Sequence, residues 1–271
     1  MPSPKPRRNY RAVIESLRQV WRIETLRDDE AIWTFGAAAL KRFEADRPLR
    51  LCVWNMCKGA GGLLFEHDFR VLMYSADLVL TQEALISERS LRTYSLPGFQ
   101  AIHGASYRRL DGLRDGVMTL TRANAGSHMQ RIVCKYPEPI FKTPKAALVS
   151  FFDWAGIDRP VMVVNIHATL VRSKRGAMDE IGHLVEHLPD HDGPIILAGD
   201  FNTFTRGYLE GVAQVLGGLG LHLIKIGDDP RSRTSALDQI FVRGLKVRWL
   251  TVDTTIKNSD HFPLIAELDP S

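Results

Sequence analysis

The hydrophobic positions of the chain change their spacing near residue 48. Before that point, apolar residues recur three and four apart in two stretches, one from Tyr10 to Trp21 and one from Ile32 to Phe43. Residues at this spacing share one face of a helix, and Asp28 with Asp29 offers a helix start for the second stretch. We therefore expect residues 1–48 to form a helical extension, which packs on the main domain or binds a partner protein.

From residue 49 onward, short apolar runs alternate with loops and with a few helical stretches. The strand-like runs are 49–55, 77–83, 116–121, 146–154, 160–167, 194–200, 239–244 and 262–268. Helical patterns fall near 65–75, 177–188 and 207–217. Many strands with few helices between them predict an α/β domain over residues 49–271, in which two packed sheets carry helices on the outside.

Polar residues stand where the predicted buried strands end. The residues at strand ends are Asn55, Glu83, His167 and Asp200, while Asp260 and His261 immediately precede the last strand. Such groups are costly to bury unless they pair or serve a site. Any one of them has an ordinary explanation, such as a turn or a satisfied histidine. The full set predicts an active site.

The donor types at these positions indicate which metal the site would take. Carboxylate and amide oxygens suit Mg²⁺ or Mn²⁺, whereas zinc usually takes several cysteines or histidines at short spacing. The three cysteines, Cys52, Cys57 and Cys134, do not supply such a set. Their odd, sparse occurrence also argues against a disulfide framework and favours the cytoplasm.

Composition adds little to this interpretation. The 271 residues are 45% hydrophobic and 24% charged, as is usual for a soluble globular protein. No apolar run reaches the roughly 20 residues of a membrane span. The formal net charge of +4 slightly favours an anionic partner. A G-x-S-x-G elbow and a G-x-x-x-x-G-K-[ST] loop are both absent, which argues against a serine hydrolase and a nucleotide-triphosphate motor.

An ordered series of short motifs resembles the endonuclease/exonuclease/phosphatase superfamily, which includes exonuclease III, DNase I and the neutral sphingomyelinases. The motifs are VWN (53–55), QE (82–83), NIH (165–167), GDFN (199–202), LDQIFV (237–242) and SDH (259–261). Within that superfamily the chain looks closest to the bacterial YafD-like branch. The resemblance implies a four-layer α/β/β/α sandwich of the DNase I type. It also implies hydrolysis of P–O bonds by activated water with one or two Mg²⁺ or Mn²⁺ ions.

The resemblance also suggests a metal-binding set and a pair that positions the reactants. Glu83 is similar to the main metal ligand of the family, with Asn55 beside it and Asp260 as an accessory ligand. Asp200 and Asn202 match the pair that positions the attacking water and the scissile phosphate.

Three further residues match catalytic positions that involve histidine. His261 matches the histidine described either as general base or as stabiliser of transition-state charge, and Asp238 matches the carboxylate that orients it. His167 matches the histidine of the DNase I and sphingomyelinase branches, where it would bind phosphate or protonate the leaving oxygen.

The substrate is predicted less sharply than the reaction. Basic residues occur in three loops that flank the motifs: Tyr107–Arg109 with Arg114, then Arg172, Lys174 and Arg175, and finally Arg231 with Arg233. Together with Lys145, they favour a nuclease or phosphodiesterase acting on DNA or RNA. A phospholipid (sphingomyelinase-like) or inositol-phosphate phosphoesterase is the alternative. A non-catalytic binding protein is a third hypothesis, although it predicts erosion of at least one motif. The oligomeric state is left open.

Overall fold

Two β-sheets lie face to face in the computed structural model, which describes residues 23–59, 62–88, 90–232 and 236–271. The strands are β1 (Ile23–Glu24), β2 (Ile32–Gly36), β3 (Leu49–Asn55), β4 (Leu78–Ile86), β5 (Gln100–Arg109), β6 (Arg114–Thr121), β7 (Ala125–Val133), β8 (Ala146–Phe152), β9 (Val161–His167), β10 (Ile195–Asp200), β11 (His222–Leu223), β12 (Asp238–Arg243), β13 (Leu245–Val252) and β14 (Leu264–Pro270). The first sheet has the order β1-β5-β6-β4-β3-β14-β13, with β2 also pairing with β5. The second has the order β11-β12-β10-β9-β8-β7.

Helices cover the outer faces of both sheets. The helices are α1 (Asp28–Ala31), α2 (Gly62–Ser75), α3 (Leu91–Tyr94), α4 (Lys174–His187) and α5 (Arg206–Gly217). Helix α2 packs on the first sheet, while α4 and α5 pack on the second. The N-caps of α4 and α5 are Ser173 and Thr205, whose hydroxyls accept backbone N–H groups of the first turn, as is common at helix starts. This arrangement confirms the predicted four-layer α/β/β/α sandwich.

The central strands are buried on both faces, which explains why their sequences are almost continuously apolar. In β3, Leu51 and Val53 face the layer between the sheets, while Cys52 and Trp54 lie under α2. Strands β9 and β10 are buried along their whole lengths. A polar side chain at the end of such a strand is therefore held in place by a strand that is packed on both of its faces.

The prediction of a helix from Ile32 to Phe43 is wrong. The acidic start does begin a helix, but α1 ends at Ala31, and residues 32–36 form β2, which pairs antiparallel with β5. The β-branched and aromatic residues of Ile-Trp-Thr-Phe favour a strand, and apolar residues three apart did not distinguish the two periods.

Beyond β2, the chain packs into the core between the two sheets. Phe43 is buried between the sheets, with its ring centroid 5.5 Å from that of Phe152 and 6.1 Å from that of Trp154. Residues 23–48 thus belong to the two-sheet domain. The helix predicted from Tyr10 to Trp21 lies outside the described residues. In the part of the chain that is described, no helix has the length and hydropathy required to cross a bilayer.

Candidate active site

A cleft of about 560 Å³ opens at the end of the sandwich where β3, β9 and β10 finish, beside Glu83 of β4. The predicted residues that line it are Asn55, Glu83, Tyr107, Lys145, His167, Asp200, Asn202, Asp260 and His261. Sheet register explains part of this convergence, because Asp200 lies opposite His167 on one neighbouring strand and opposite Asp238 on the other. Residues far apart in sequence therefore meet because three strands end or begin at the same level.

His261 and Asp238 form the shortest polar contact in the cleft that involves an imidazole. The Nδ1 atom of His261 lies 2.7 Å from Oδ2 of Asp238, and the indole N–H of Trp54 donates to the carbonyl oxygen of His261 at 3.1 Å. Burial opposes protonation of this imidazole. The hydrogen bond to Asp238 and the charges of Asp238 and Asp200 outweigh that effect, and they raise the pKa of His261 to about 9. His261 thus carries a proton at neutral pH.

Asp200 is the most connected carboxylate of the site. It accepts hydrogen bonds from the side-chain amide of Asn55 at 3.0 Å and from the backbone N–H of Asn202 at 2.9 Å. Its Oδ2 atom also lies 3.5 Å from Nε2 of His167 and 3.9 Å from Nε2 of His261. Burial and the nearby charge of Asp238 raise the pKa of Asp200 to about 6. A carboxyl group with a raised pKa is suited to proton transfer near neutrality.

His167 has the opposite electrostatic tendency to His261. Its ring is buried, and burial lowers its pKa well below the ordinary value, with further lowering by the positive charges of Lys145 and His261. The two histidines flank Asp200, one neutral and one charged at pH 7. Such a pair can offer both a neutral N–H group and a localised positive charge to one bound phosphate.

A bulge in β4 directs Glu83 into the cleft. The register of β4 against β6 shifts between Thr81 and Ala84, and Glu83 adopts a φ of 53°, in the left-handed region. A bulge re-aims a side chain that regular alternation would direct elsewhere. The carboxylate faces Lys145, whose Nζ lies 3.8 Å from Oε1 of Glu83.

Unfavourable backbone conformations are concentrated at this cleft. Of the non-glycine residues described, five have positive φ, and four of these line the cleft: Cys57, Lys58, Glu83 and Asn202. The fifth, Lys142, lies between two lining residues. Each such residue costs of order 1 kcal/mol or more, so the concentration is typical of a functional site.

The residues predicted to bind metal carry suitable donors. Glu83 and Asp260 supply carboxylate oxygens and Asn55 an amide oxygen, and all three line the cleft. Asp200, Asp238 and His261 also approach within 4.8 Å of one another. In that trio, however, the imidazole donates to Asp238, which marks a hydrogen-bonded network. The oxygen-rich group around Glu83 fits a hard divalent ion better.

Two of the three predicted basic loops do not supply free positive charge at the cleft. Arg108 pairs with Glu24, and Arg109 pairs with Asp111. Arg114 is buried over the ring of Trp33. In the third loop, Arg231 is buried against Asp229 and also donates to the backbone oxygen of Asp238, while Arg233 lies outside the described residues.

The middle loop remains a candidate for substrate binding. Arg172, Lys174 and Arg175, named here the basic loop, are exposed at the start of α4. They do not line the cleft, but they begin two residues beyond Leu170, which does. Lys145 is buried and lines the cleft itself.

Sequence reasoning missed several cleft residues. Lys58 lies three residues beyond Asn55, while Glu138 and Phe141 lie in a proline-containing loop that carried no periodic signal. Glu138 lies 3.9 Å from Lys145, so this lysine is placed between two carboxylates. Burial raises the pKa of Glu138, although Lys145 opposes that change.

The fold and site together define a hydrolase of phosphoric esters. The sequence model described as the endonuclease/exonuclease/phosphatase family matches residues 52–261, and the chain belongs to this family. A UPF0294 protein of Klebsiella pneumoniae is 32% identical over 237 residues, which are 83% of this chain and 84% of that protein. This similarity confirms the predicted bacterial branch.

Solved structures agree on the fold. The endonuclease/exonuclease/phosphatase from Beutenbergia cavernae has a TM-score of 0.64 at 17% identity, covering 83% of this chain and 72% of that one. The human Nocturnin catalytic domain has a TM-score of 0.60 at 17% identity, covering 91% of this chain and all (100%) of that one.

Proposed function

We propose that the chain is a divalent-metal-dependent phosphodiesterase that cleaves a P–O bond with water and acts on DNA or RNA. The observation that carries the catalytic part is the contact between His261 and Asp238, with Asp200 beside it and Glu83 in the same cleft. A charged imidazole, a carboxylate with a raised pKa and a set of oxygen ligands are the groups that such a hydrolysis needs.

Each group has a role that follows from its surroundings. Glu83, Asn55 and Asp260 would hold Mg²⁺ or Mn²⁺, which when bound supplies Lewis-acid polarisation of a phosphate oxygen. Asp200 accepts a proton from the attacking water. The backbone N–H of Asn202 donates to Asp200 and so helps to hold this carboxylate in the orientation that positions the water.

The two histidines would act on the phosphate itself. His261, kept charged by Asp238, stabilises the negative charge that builds on the phosphate. His167 is neutral, and its ring N–H can bind a phosphate oxygen or the leaving oxygen.

A cleavage assay tests the catalytic proposal. Single-stranded, double-stranded and abasic DNA and RNA are incubated with Mg²⁺ or Mn²⁺. We expect His261→Ala to cleave more slowly than the wild type by several orders of magnitude, because the positive charge that faces the phosphate is lost. Glu83→Gln should raise the metal concentration needed for half-maximal rate. His222→Ala, at an exposed position on β11, is the matched control and should cleave normally. Normal turnover by His261→Ala would show that the site is assigned wrongly.

Positive charge supports a nucleic-acid substrate. The exposed basic loop continues from the rim of the cleft. Lys58 and Lys145 line the cleft itself, each 3.8 Å from a carboxylate oxygen, of Asp115 and Glu83 respectively. Phosphate contacts of this kind release counterions, so binding weakens as salt rises. This arrangement extends the reach of the site beyond one phosphate, as a polymer would require.

Salt dependence tests this part of the proposal separately. Reversing the three charges of the basic loop should reduce the slope of log affinity against log salt by up to about three for DNA or RNA. The same reversal at three other exposed cations, Arg70, Lys225 and Lys246, is the matched control. An unchanged slope in the basic-loop variant would point to a small phosphoester.

An exposed apolar segment supports a second candidate, a phospholipid or inositol-phosphate substrate. Ile140 is 54% exposed and Phe141 is 46% exposed, and Phe141 lines the cleft. Apolar side chains at the mouth of a phosphoesterase would suit the surface of a lipid bilayer. Hydrolysis of phospholipid vesicles, lost in Ile140→Ser with Phe141→Ser while soluble phosphodiesters are still cleaved, would favour this candidate over a nuclease.

A further inference from the structure

Helix α4 carries a second group of metal-binding side chains on its outer surface. His183, Glu186 and His187 each offer a ligand atom, and these atoms lie within 4.8 Å of one another. The two imidazole ring centroids are 4.2 Å apart. Residues four apart in a helix lie on one face, so the pattern His-x-x-Glu-His brings all three donors to the same turn. We name these residues the α4 surface group.

Hydrogen bonds fix the orientation of both imidazoles. A ring nitrogen, Nε2, of His183 lies 3.2 Å from the carbonyl oxygen of Val133, and Nδ1 of His187 lies 2.8 Å from the carbonyl oxygen of His183. A carbonyl oxygen only accepts, so each of these ring nitrogens carries the proton. The other nitrogen of each ring is therefore the one that can offer a lone pair to a metal ion. Metal-binding histidines typically donate their second N–H in this way.

The neighbouring strand helps to fix this turn of the helix. Gln130 of β7 donates from its side-chain amide to the carbonyl oxygen of His187 at 3.1 Å, and Val133 belongs to the same strand. The backbone that carries the donors is thus attached to the second sheet. Glu186 and His187 remain exposed, which leaves room for the ion and for water ligands.

The donor types distinguish this group from the catalytic cleft. Two imidazoles and one carboxylate suit Zn²⁺ and similar transition ions, whereas Mg²⁺ prefers oxygen ligands such as those near Glu83. The same residue pattern occurs in zinc peptidases. Here Glu186 and His187 lie on an open surface outside the cleft, so binding is inferred and hydrolysis at this position is not.

We propose that His183, Glu186 and His187 form a surface binding site for Zn²⁺ or a closely similar transition-metal ion, separate from the active site. Three protein ligands from one helical turn leave at least one position of a tetrahedral zinc ion for water. The ion links the donors of the last turn of α4. This inference does not depend on the proposed substrate.

Calorimetric titration with Zn²⁺ tests the site in the whole 271-residue chain, in the presence of excess Mg²⁺ to occupy the cleft. We expect one Zn²⁺ equivalent in the wild-type protein. His187→Gln should weaken binding of this equivalent at least tenfold, and Glu186→Gln should weaken it less. His67→Gln, which removes another exposed helical histidine, is the matched control and should bind as the wild type does.

Glu83→Gln separates the two sites. We expect this cleft variant to keep the Zn²⁺ equivalent, since Glu83 has no part in the α4 surface group. Unchanged Zn²⁺ affinity in both His187→Gln and Glu186→Gln would overturn the proposal. Loss of the equivalent in Glu83→Gln but not in His187→Gln would place the ion in the active site and would overturn it equally. Circular dichroism of each variant verifies that the fold is retained.

Discussion

His103 links the stability of the fold to pH and lies next to the active site. This residue of β5 is fully buried, and its Nε2 atom donates to the carbonyl oxygen of Ala84 at 2.9 Å. Ala84 directly follows Glu83 in the β4 bulge. Burial lowers the pKa of His103 to about 4. The hydrogen bond to Ala84 opposes this change, and the charge of Arg114 adds to it.

The size of the effect follows from the difference between folded and unfolded states. An unfolded histidine has a pKa of about 6.5. Above that pH both states are neutral at His103, and its contribution to stability is fully present. As the pH falls from about 6.5 to about 4, the unfolded chain takes up a proton that the folded chain does not. The free energy of unfolding should therefore fall by about 2 kcal/mol between pH 7.5 and 5.0, and by about 3 kcal/mol in total.

The comparison with His103→Gln isolates this contribution. Glutamine can still donate to Ala84 from its amide group but does not titrate. We expect the wild type to lose about 2 kcal/mol more than the variant between pH 7.5 and 5.0, because all other titrating groups are shared. Urea denaturation followed by tryptophan fluorescence and circular dichroism measures both losses. Equal losses in the two proteins would refute the assignment of a depressed pKa to His103.

Three other substitutions test the site and the fold. Asp238→Asn should lower kcat by about 100-fold or more, and the loss should grow toward alkaline pH, where His261 would lose its proton. A pH–rate profile measures this loss. A loss that does not depend on pH would contradict the charged role of His261. Gly199→Ala should destabilise the protein by on the order of 3 kcal/mol in urea denaturation, because an added Cβ would lie 1.9 Å from the carbonyl oxygen of Ile166 at a φ of 143°. Phe43→Ala should cost about 3–5 kcal/mol by the same measurement, whereas a change below about 1 kcal/mol would show that residues 23–48 are not part of the core.

The strand-end residues of the site could be predicted because the sheets align them. A polar residue at the end of an apolar strand is visible in the sequence, and Asp200, His167 and Asp238 meet because β9, β10 and β12 are neighbours in register. The roles assigned to these residues stay predictions. Glu138 and Phe141 could not be found in this way, since their loop has no period and its path depends on tertiary contacts.

The strand β2 was missed for a different physical reason. In β2, Trp33 and Phe35 pack on one face and Ile32 packs on the other, so the apolar residues do not alternate in the way that marks a half-buried strand. The pairing partner, β5, is also nearly 70 residues away. The basic loops were overestimated for a related reason. Asp111 and Asp229 lie only two residues from their arginines, whereas Glu24 is distant in sequence from Arg108. In all three cases the ion pair itself is seen only in the folded chain.

The position of Glu83 shows how the rigid and the strained parts of the molecule depend on each other. Its left-handed φ is unfavourable for a residue with a side chain, so the conformation persists only if the surroundings impose it. Two buried hydrogen bonds lie next to it in the structure, from His103 to Ala84 and from Gln82 to Asn165 at 2.7 Å. The first ties the bulge to β5, and the second ties it to the opposite sheet through β9. The direction of this carboxylate is therefore set by both sheets, which gives the buried polar pair Gln82–Asn165 a positioning role between them.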